Sequence, residues 1–217
     1  MRPHTARPQR FETRDFLNLA TGRLLTGPVD PTAAGDGPSD YDLNPGSRPQ
    51  SQTGLVPAAV LVPILARPTL TVLLTERTAN LSAHAGQIAF PGGRIDPGDD
   101  GPRAAALREA HEEIGLEAAF VTPLGYLEPY RTGTGYLITP VVAMVDPAFS
   151  LKPDPREVQD VFEVPLAFLM DEANHAIDSR VWRGAERQFY AMPYEQRYIW
   201  GATAGIIRSL YRRLSTT

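Results

Sequence analysis

Residues 92–116, GGRIDPGDDGPRAAALREAHEEIGL, constrain this chain more than any other stretch. Pro102 suits a first helical turn and Gly115 a helix stop, so the spacing predicts a helix from about Pro102 to Ile114. Leu107, Ala110 and Ile114 recur three and four residues apart and give that helix an apolar side to lay on a sheet. Glu109, Glu112 and Glu113 share the same spacings and gather their carboxylates on another face. Like charges so placed destabilise an isolated helix by roughly a few tenths of a kcal/mol per pair. A divalent cation removes the conflict, and Mg²⁺ and Mn²⁺ favour oxygen donors. Arg108, four residues before Glu112, is placed to pin that carboxylate. Alone, LREAHEEIGL reads equally well as a solvated acidic face. The preceding PGGRID favours a ligand site, because adjacent glycines permit a tight turn and close backbone approach.

The rest of the chain supplies a frame for such a helix. AAVLVPILA (58–66) and LTVLLT (70–75) read as neighbouring strands joined by a short turn. Residues 76–101 read as loop with short strand pieces. AAFVTPLGYLEPY and GYLITPVVAMV supply further strands, and EVQDVFEVPLAFLM a strand and a short helix. WRGAERQFYAMPYEQRYIWG alternates like a hairpin, and TAGIIRSLYRRLS closes as a helix with Ile206, Ile207, Leu210 and Leu214 on its apolar side. Strands, helix, strands and helix in that order predict an α/β fold with a mixed sheet between helices. Residues 1–53 read as an N-terminal arm and linker, and 54–217 as the main domain. Phe16, Leu17, Ala20 and Leu24 can form one face of a short helix in the arm. Residues 27–53, rich in Pro, Gly, Ser and Asp, read as a loop or disordered linker.

Composition narrows the chemistry. There is no cysteine, which excludes disulfides, thiolate catalysis and cysteine-held metal sites. The 217 residues carry a formal net charge of −4 and no basic stripe, so no nucleic-acid partner is expected. No apolar run approaches the roughly 18–20 residues needed to span a bilayer, and a cytoplasmic protein without a membrane partner is expected. Lys152 is the single lysine; it lies in a polar Pro-containing stretch and reads as a solvated side chain.

Residues 93–116 resemble the signature of the Nudix hydrolases. Arg108, Glu109, Ala110, His111, Glu112, Glu113, Ile114, Gly115 and Leu116 match its second half. Its first half departs: Gly93 stands one residue farther from Arg108 than usual. Asp99, counted from Gly93, or Asp100, counted from the helix, replaces the usual glutamate. Upstream, residues 73–93 resemble the additional signature of the coenzyme A pyrophosphatase subgroup through Leu73, Leu74, Thr75, Arg77, Gly86, Phe90, Pro91, Gly92 and Gly93. Thr78 stands where serine or alanine is usual, and Ser82 where arginine is usual.

The resemblance implies a Nudix-like α/β/α sandwich and hydrolysis of a nucleoside diphosphate linked to another group. For coenzyme A the products are 4'-phosphopantetheine and adenosine 3',5'-bisphosphate. It implies Mg²⁺ or Mn²⁺ held by Glu109, Glu112, Glu113 and the Gly93 carbonyl, with Glu112 ligating or positioning water. Glu157, in a loop before a strand, is the candidate general base, and Arg108 supports the catalytic carboxylates. Arg77, His84 and Arg131 are candidate substrate contacts, with Tyr130 and Tyr136 placed to pack on Arg131. Ser82 keeps open another nucleoside diphosphate derivative, such as ADP-ribose. A ligand-binding domain without activity is the non-enzymatic alternative. A homodimer through the aromatic hairpin or the N-terminal arm is a further possibility.

Overall fold

The long apolar run near residue 60 becomes strand β1 (Val56–Leu65), and it is continuous because both faces of that strand are covered. The computed structural model describes residues 12–30, 37–51, 53–78, 86–182 and 184–215. In it β1 pairs in parallel with β7 (Tyr136–Val145), from Val56 opposite Tyr136 to Leu65 opposite Val145. On its other side β1 meets two antiparallel partners in turn. These are β4 (Gly92–Arg94), opposite Ala58, Ala59 and Val60, and β2 (Thr71–Arg77), opposite Ile64 and Leu65. The Leu61 N–H points to that side, onto the Pro91 carbonyl. Pro63, two residues on, points the same way, so its missing N–H falls in the gap between the two partners.

Antiparallel neighbours complete an eight-stranded mixed sheet. β3 (Ile88–Ala89) and β8 (Val158–Pro165) pair with β2, while β5 (Val121–Tyr126) and β6 (Tyr130–Arg131) pair with β7. Alternation along the strands then sorts the core into two layers. Ala59, Leu61, Leu65, Val141, Ala143 and Val145 face helix α2 (Gly101–Ile114). Val62, Ile64, Val72, Leu74 and Val142 face the opposite way, toward α1 (Thr13–Arg23), α3 (Leu166–Leu169) and α4 (Ala202–Ser215). The expected sandwich of a mixed sheet between helices is the observed architecture.

A second, three-stranded sheet of β9 (Ala176–Trp182), β10 (Ala185–Tyr194) and β11 (Arg197–Trp200) joins the α4 layer through buried Met192 and Ile199. The expected hairpin corresponds to β10 and β11. β9 is additional; its residues are exposed, so no buried stripe in the sequence marks it. The N-terminal segment packs on the same layer. Phe16 and Ala20 are buried, and Leu19 rather than Leu17 completes the contact. The described part of the linker is held in place. Asp40 accepts from the Tyr130 hydroxyl at 2.9 Å and from the Gly133 N–H at 2.7 Å. Among the described residues no helix is long and apolar enough to cross a membrane.

Because Phe16 is fully buried against α4 and the sheet, Phe16→Ala is expected to cost about 3–5 kcal/mol in urea unfolding. A loss below about 1 kcal/mol would mean that α1 lies outside the cooperative unit.

Candidate active site

Small residues decide how α2 sits. Ala105, Ala106 and Ala110 are fully buried and let the helix axis approach the sheet closely. That orientation corrects one expectation. The three glutamates do not share an exposed face; they grade from core to solvent. The Glu113 side chain is 4% exposed, Glu109 17% and Glu112 56%. Glu113 lies three residues from Ala110 and seven from Ala106, on the edge of the buried stripe. Leu107, assigned to the apolar face, is only partly buried.

The two glycines before the helix close on these carboxylates. Gly92 crosses β1 so tightly that a Cβ would lie 2.6 Å from the Val60 Cα, and its N–H donates to Glu113 Oε2 at 3.2 Å. At Gly93 a Cβ would fall 2.5 Å from the Glu109 carboxyl carbon. No side chain fits there while Glu109 keeps its place. At the far end of α2, Gly115 adopts φ +71°, and the Gly115 and Leu116 N–H groups donate to the His111 and Ala110 carbonyls.

Arg108 organises the solvent side. Its guanidinium forms a two-pronged pair with Asp99, with both contacts at 3.0 Å, and reaches Glu109 Oε1 and Glu112 Oε2 at 3.0 Å. It also donates to the Arg94 carbonyl. Asp99 therefore fills the acidic position, and Asp100 stands at the N-cap position without a side-chain capping bond. The Arg108 pair lowers the Asp99 pKa, and Asp99 in turn raises that of Arg108. Burial raises Glu109 above the ordinary carboxylate range, against the opposing pull of Arg108. Burial pushes Glu113 up to about 7. The Gly92 hydrogen bond and Arg77, whose Nη1 lies 3.5 Å from Glu113 Oε1, pull it down, while Glu109 and Glu157 push it up.

The loop before β8 is strapped to this group by its backbone. Lys152 N–H donates to Ile114 O and Asp154 N–H to Glu113 O. Thr78 N–H donates to Glu157 O, and Thr78 Oγ1 to Arg156 O. Glu157 is thereby held beside the helix, near enough for its charge to act on both Glu109 and Glu113. Asp154 is instead locked to Arg156, which draws its pKa down to about 2.

Glu109, Glu112, Glu113, Gly93, Arg108, Arg77 and Glu157 thus converge. His84 and Ser82 lie outside the described residues. Arg131 is not gathered here: its guanidinium donates to the Pro49 and Ser51 carbonyls and lies over the Tyr41 ring. Tyr130 turns to Asp40, and Tyr136 carries Arg94. His111 is exposed, and His175 bonds the Leu169 carbonyl. The sequence reading did not anticipate the Gly92 amide on Glu113 or the strap at Thr78; both are backbone contacts that side-chain spacing does not encode.

Among the described residues no three acidic or histidine side chains converge into a closed metal cage. Arg108 draws Glu109 and Glu112 toward itself. An all-oxygen set of one buried and one half-buried carboxylate, a third at the rim and an open backbone turn suits Mg²⁺ or Mn²⁺, which retain water and share substrate phosphates.

Comparison with known proteins places these residues in a family. A family model described as NUDIX domain matches residues 55–183. A protein of Photorhabdus laumondii named "Uncharacterized Nudix hydrolase NudL" is 44% identical over 157 residues, 72% of this chain and 84% of that protein. An Escherichia coli K12 protein of the same name is 44% identical over 153 residues, 70% and 80%. Among solved structures, the NUDIX domain of Shewanella oneidensis NrtR complexed with ADP ribose is 19% identical, covers 81% of this chain and 97% of that one, and has a TM-score of 0.48.

The buried Glu113 gives the metal-free protein a pH signature. Between its ordinary value of 4.5 and about 7 the folded state holds a proton that the unfolded chain releases. Its contribution is complete below about pH 4.5 and lost as pH rises through about 7, a swing of roughly 3 kcal/mol. Glu113→Gln is expected to match the parent near pH 4.5 and exceed it in denaturation midpoint at pH 8. An unchanged pH dependence in the variant would show that Glu113 titrates normally.

Proposed function

Since the chain belongs to the Nudix family of pyrophosphate-bond hydrolases, we propose that its substrate is coenzyme A or an acyl derivative. The products are 4'-phosphopantetheine, or its acyl form, and adenosine 3',5'-bisphosphate, with Mg²⁺ or Mn²⁺ as cofactor. One observation carries the reading. Two residues from the stretch that resembles the coenzyme A subgroup, Arg77 and Gly92, meet helix α2 directly. Arg77 lies against Glu113, and the Gly92 N–H donates to it.

In this reading Glu109, Glu113 and the Gly93 carbonyl hold the metal, and Glu112 ligates or orients water at the exposed rim. A metal held there would neutralise the negative oxygens of the linkage and lower the pKa of nearby water. Glu157 accepts the proton of the attacking water as its oxygen bonds to phosphorus and the bond to the bridging oxygen breaks. Arg108 fixes Glu109 and Glu112. Arg77 touches Glu113 only at the long distance of 3.5 Å and is free to offer a planar guanidinium to two phosphate oxygens. His84 keeps the substrate-contact role that the resemblance implies. Arg131, committed to the linker carbonyls, is left out of the substrate contacts.

Ser82, where the subgroup has arginine, favours one competitor, a derivative such as ADP-ribose, so both belong in the assay. With Mn²⁺ and equal concentrations of coenzyme A and ADP-ribose, faster release of adenosine 3',5'-bisphosphate is expected. Cleavage of ADP-ribose without cleavage of coenzyme A would overturn the substrate, and no turnover of either would favour a binding domain. Glu113→Gln is expected to lose at least ~100-fold in activity. Glu157→Gln is expected to lose on the order of 10²-fold or more, together with the acidic limb of the pH–rate profile. An unchanged rate in either variant would remove that residue from its role.

A further inference from the structure

Strand β9 is one edge of the three-stranded sheet and, among the described residues, pairs only with β10. Every residue from Ala176 to Val181 is exposed, with Ile177 at 56% and Val181 at 74%. The direction of its backbone groups follows from bonds on the far side of β10. Tyr190 O accepts from Gly201 N–H on the β11 side. Gln188, two residues back, faces the same way and exchanges both its N–H and its C=O with the Asn44 side-chain amide. Gln188 and Tyr190 therefore make no ladder bonds to Ser179 and Ile177, the residues opposite them. Ile177, Ser179 and, by alternation, Val181 turn their N–H and C=O groups away from the protein. Edges of this kind are usually blunted by charged side chains, proline or a bulge. The sequence AIDSRVW contains no proline or lysine, its register with β10 is unbroken, and its two charges, Asp178 and Arg180, are of opposite sign. The local guard is Asp178, whose Oδ1 accepts the Ser179 N–H at 2.7 Å.

The side chains of this edge are complementary to themselves. In an antiparallel pairing of two copies about Ser179, Ile177 falls opposite Val181 and Asp178 opposite Arg180. Apolar residues meet on one face and opposite charges on the other. Pairing about Ile177 or Val181, the other outward-facing residues, leaves Asp178 opposite Ala176 or Arg180 opposite Trp182 and matches no charges. We propose that β9 pairs antiparallel with β9 of a second copy of this chain about a two-fold axis at Ser179, joining the two three-stranded sheets. On pairing, Asp178 releases the Ser179 N–H to the partner strand and turns to the partner's Arg180. Arg180, over the Trp200 ring at 4.6 Å, and Asp178, beneath the Tyr198 hydroxyl at 2.6 Å, already share the face on which they would meet.

Sedimentation of the full chain, free of metal and substrate, tests this over micromolar to submillimolar concentrations. The parent is expected to dimerise. Ser179→Pro removes the outward N–H without touching the β10 ladder. Arg180→Asp sets acid against acid at both ends of the strand. Each is expected to raise the dissociation constant at least ~30-fold, the effect of about two lost hydrogen bonds or charge contacts. The double variant Asp178→Arg with Arg180→Asp restores opposite charges and is expected to recover dimerisation to within about 10-fold of the parent. Such recovery cannot arise from misfolding of the single variant. A parent that stays monomeric throughout would overturn the proposal and leave the edge to a strand from another protein. Equal dimerisation by the parent and Ser179→Pro would also overturn it.

Discussion

The site depends on one costly arrangement: the Glu113 carboxylate enclosed between α2 and the sheet. Burial of an ionised carboxylate is unfavourable unless something compensates it. Here the Gly92 N–H and the more distant Arg77 compensate only in part, and the pKa remains raised to about 7. Several features of the chain follow from keeping that carboxylate where it is. The alanine face of α2 brings the helix close, Gly92 brings an amide to the carboxylate, and Gly93 leaves room for Glu109 beside it. Asp154 and Thr78 tie the Glu157 loop to the same corner.

Arg108 plays the complementary part at the surface. It faces Asp99, Glu109 and Glu112 together, and so relieves the repulsion that the helix spacing creates. The exposed contacts are individually weak. Their value is geometric, because one planar guanidinium fixes the direction of three carboxylates. A cation arriving at Glu109 and Glu113 would compete with Arg108 for Glu109. Arg77, by contrast, meets Glu113 only at the long distance of 3.5 Å.

Much of this was legible in the residues. Pro102 and Gly115 marked the helix to within a residue, and the apolar runs marked β1, β2 and β7 because strands covered on both faces need no polar alternation. The charge pattern marked which side chains matter. It did not reveal their depth. Grouping Glu113 with Glu112 on an open face assumed that carboxylates face water, whereas helix rotation set by Ala106 and Ala110 carries Glu113 inward. Arg131 was likewise read from its type, but the Pro49 and Ser51 carbonyls take its guanidinium. Backbone donors such as the Gly92 N–H are carried by every residue and leave no trace in composition. β9 leaves no apolar stripe in the sequence because its side chains are exposed, and its outward-facing groups belong to the backbone.

If Glu113, whose pKa burial raises to about 7, is the metal ligand proposed above, metal binding at mildly acidic pH must displace its proton. Calorimetric titration with Mn²⁺ at pH 6 in two buffers of different ionisation enthalpy counts the protons released on binding. Net proton release is expected with the parent chain, smaller release at pH 8, and loss of this release together with much of the affinity in Glu113→Gln. Mn²⁺ binding at pH 6 without proton release, or binding unchanged in Glu113→Gln, would contradict a ligand role for Glu113.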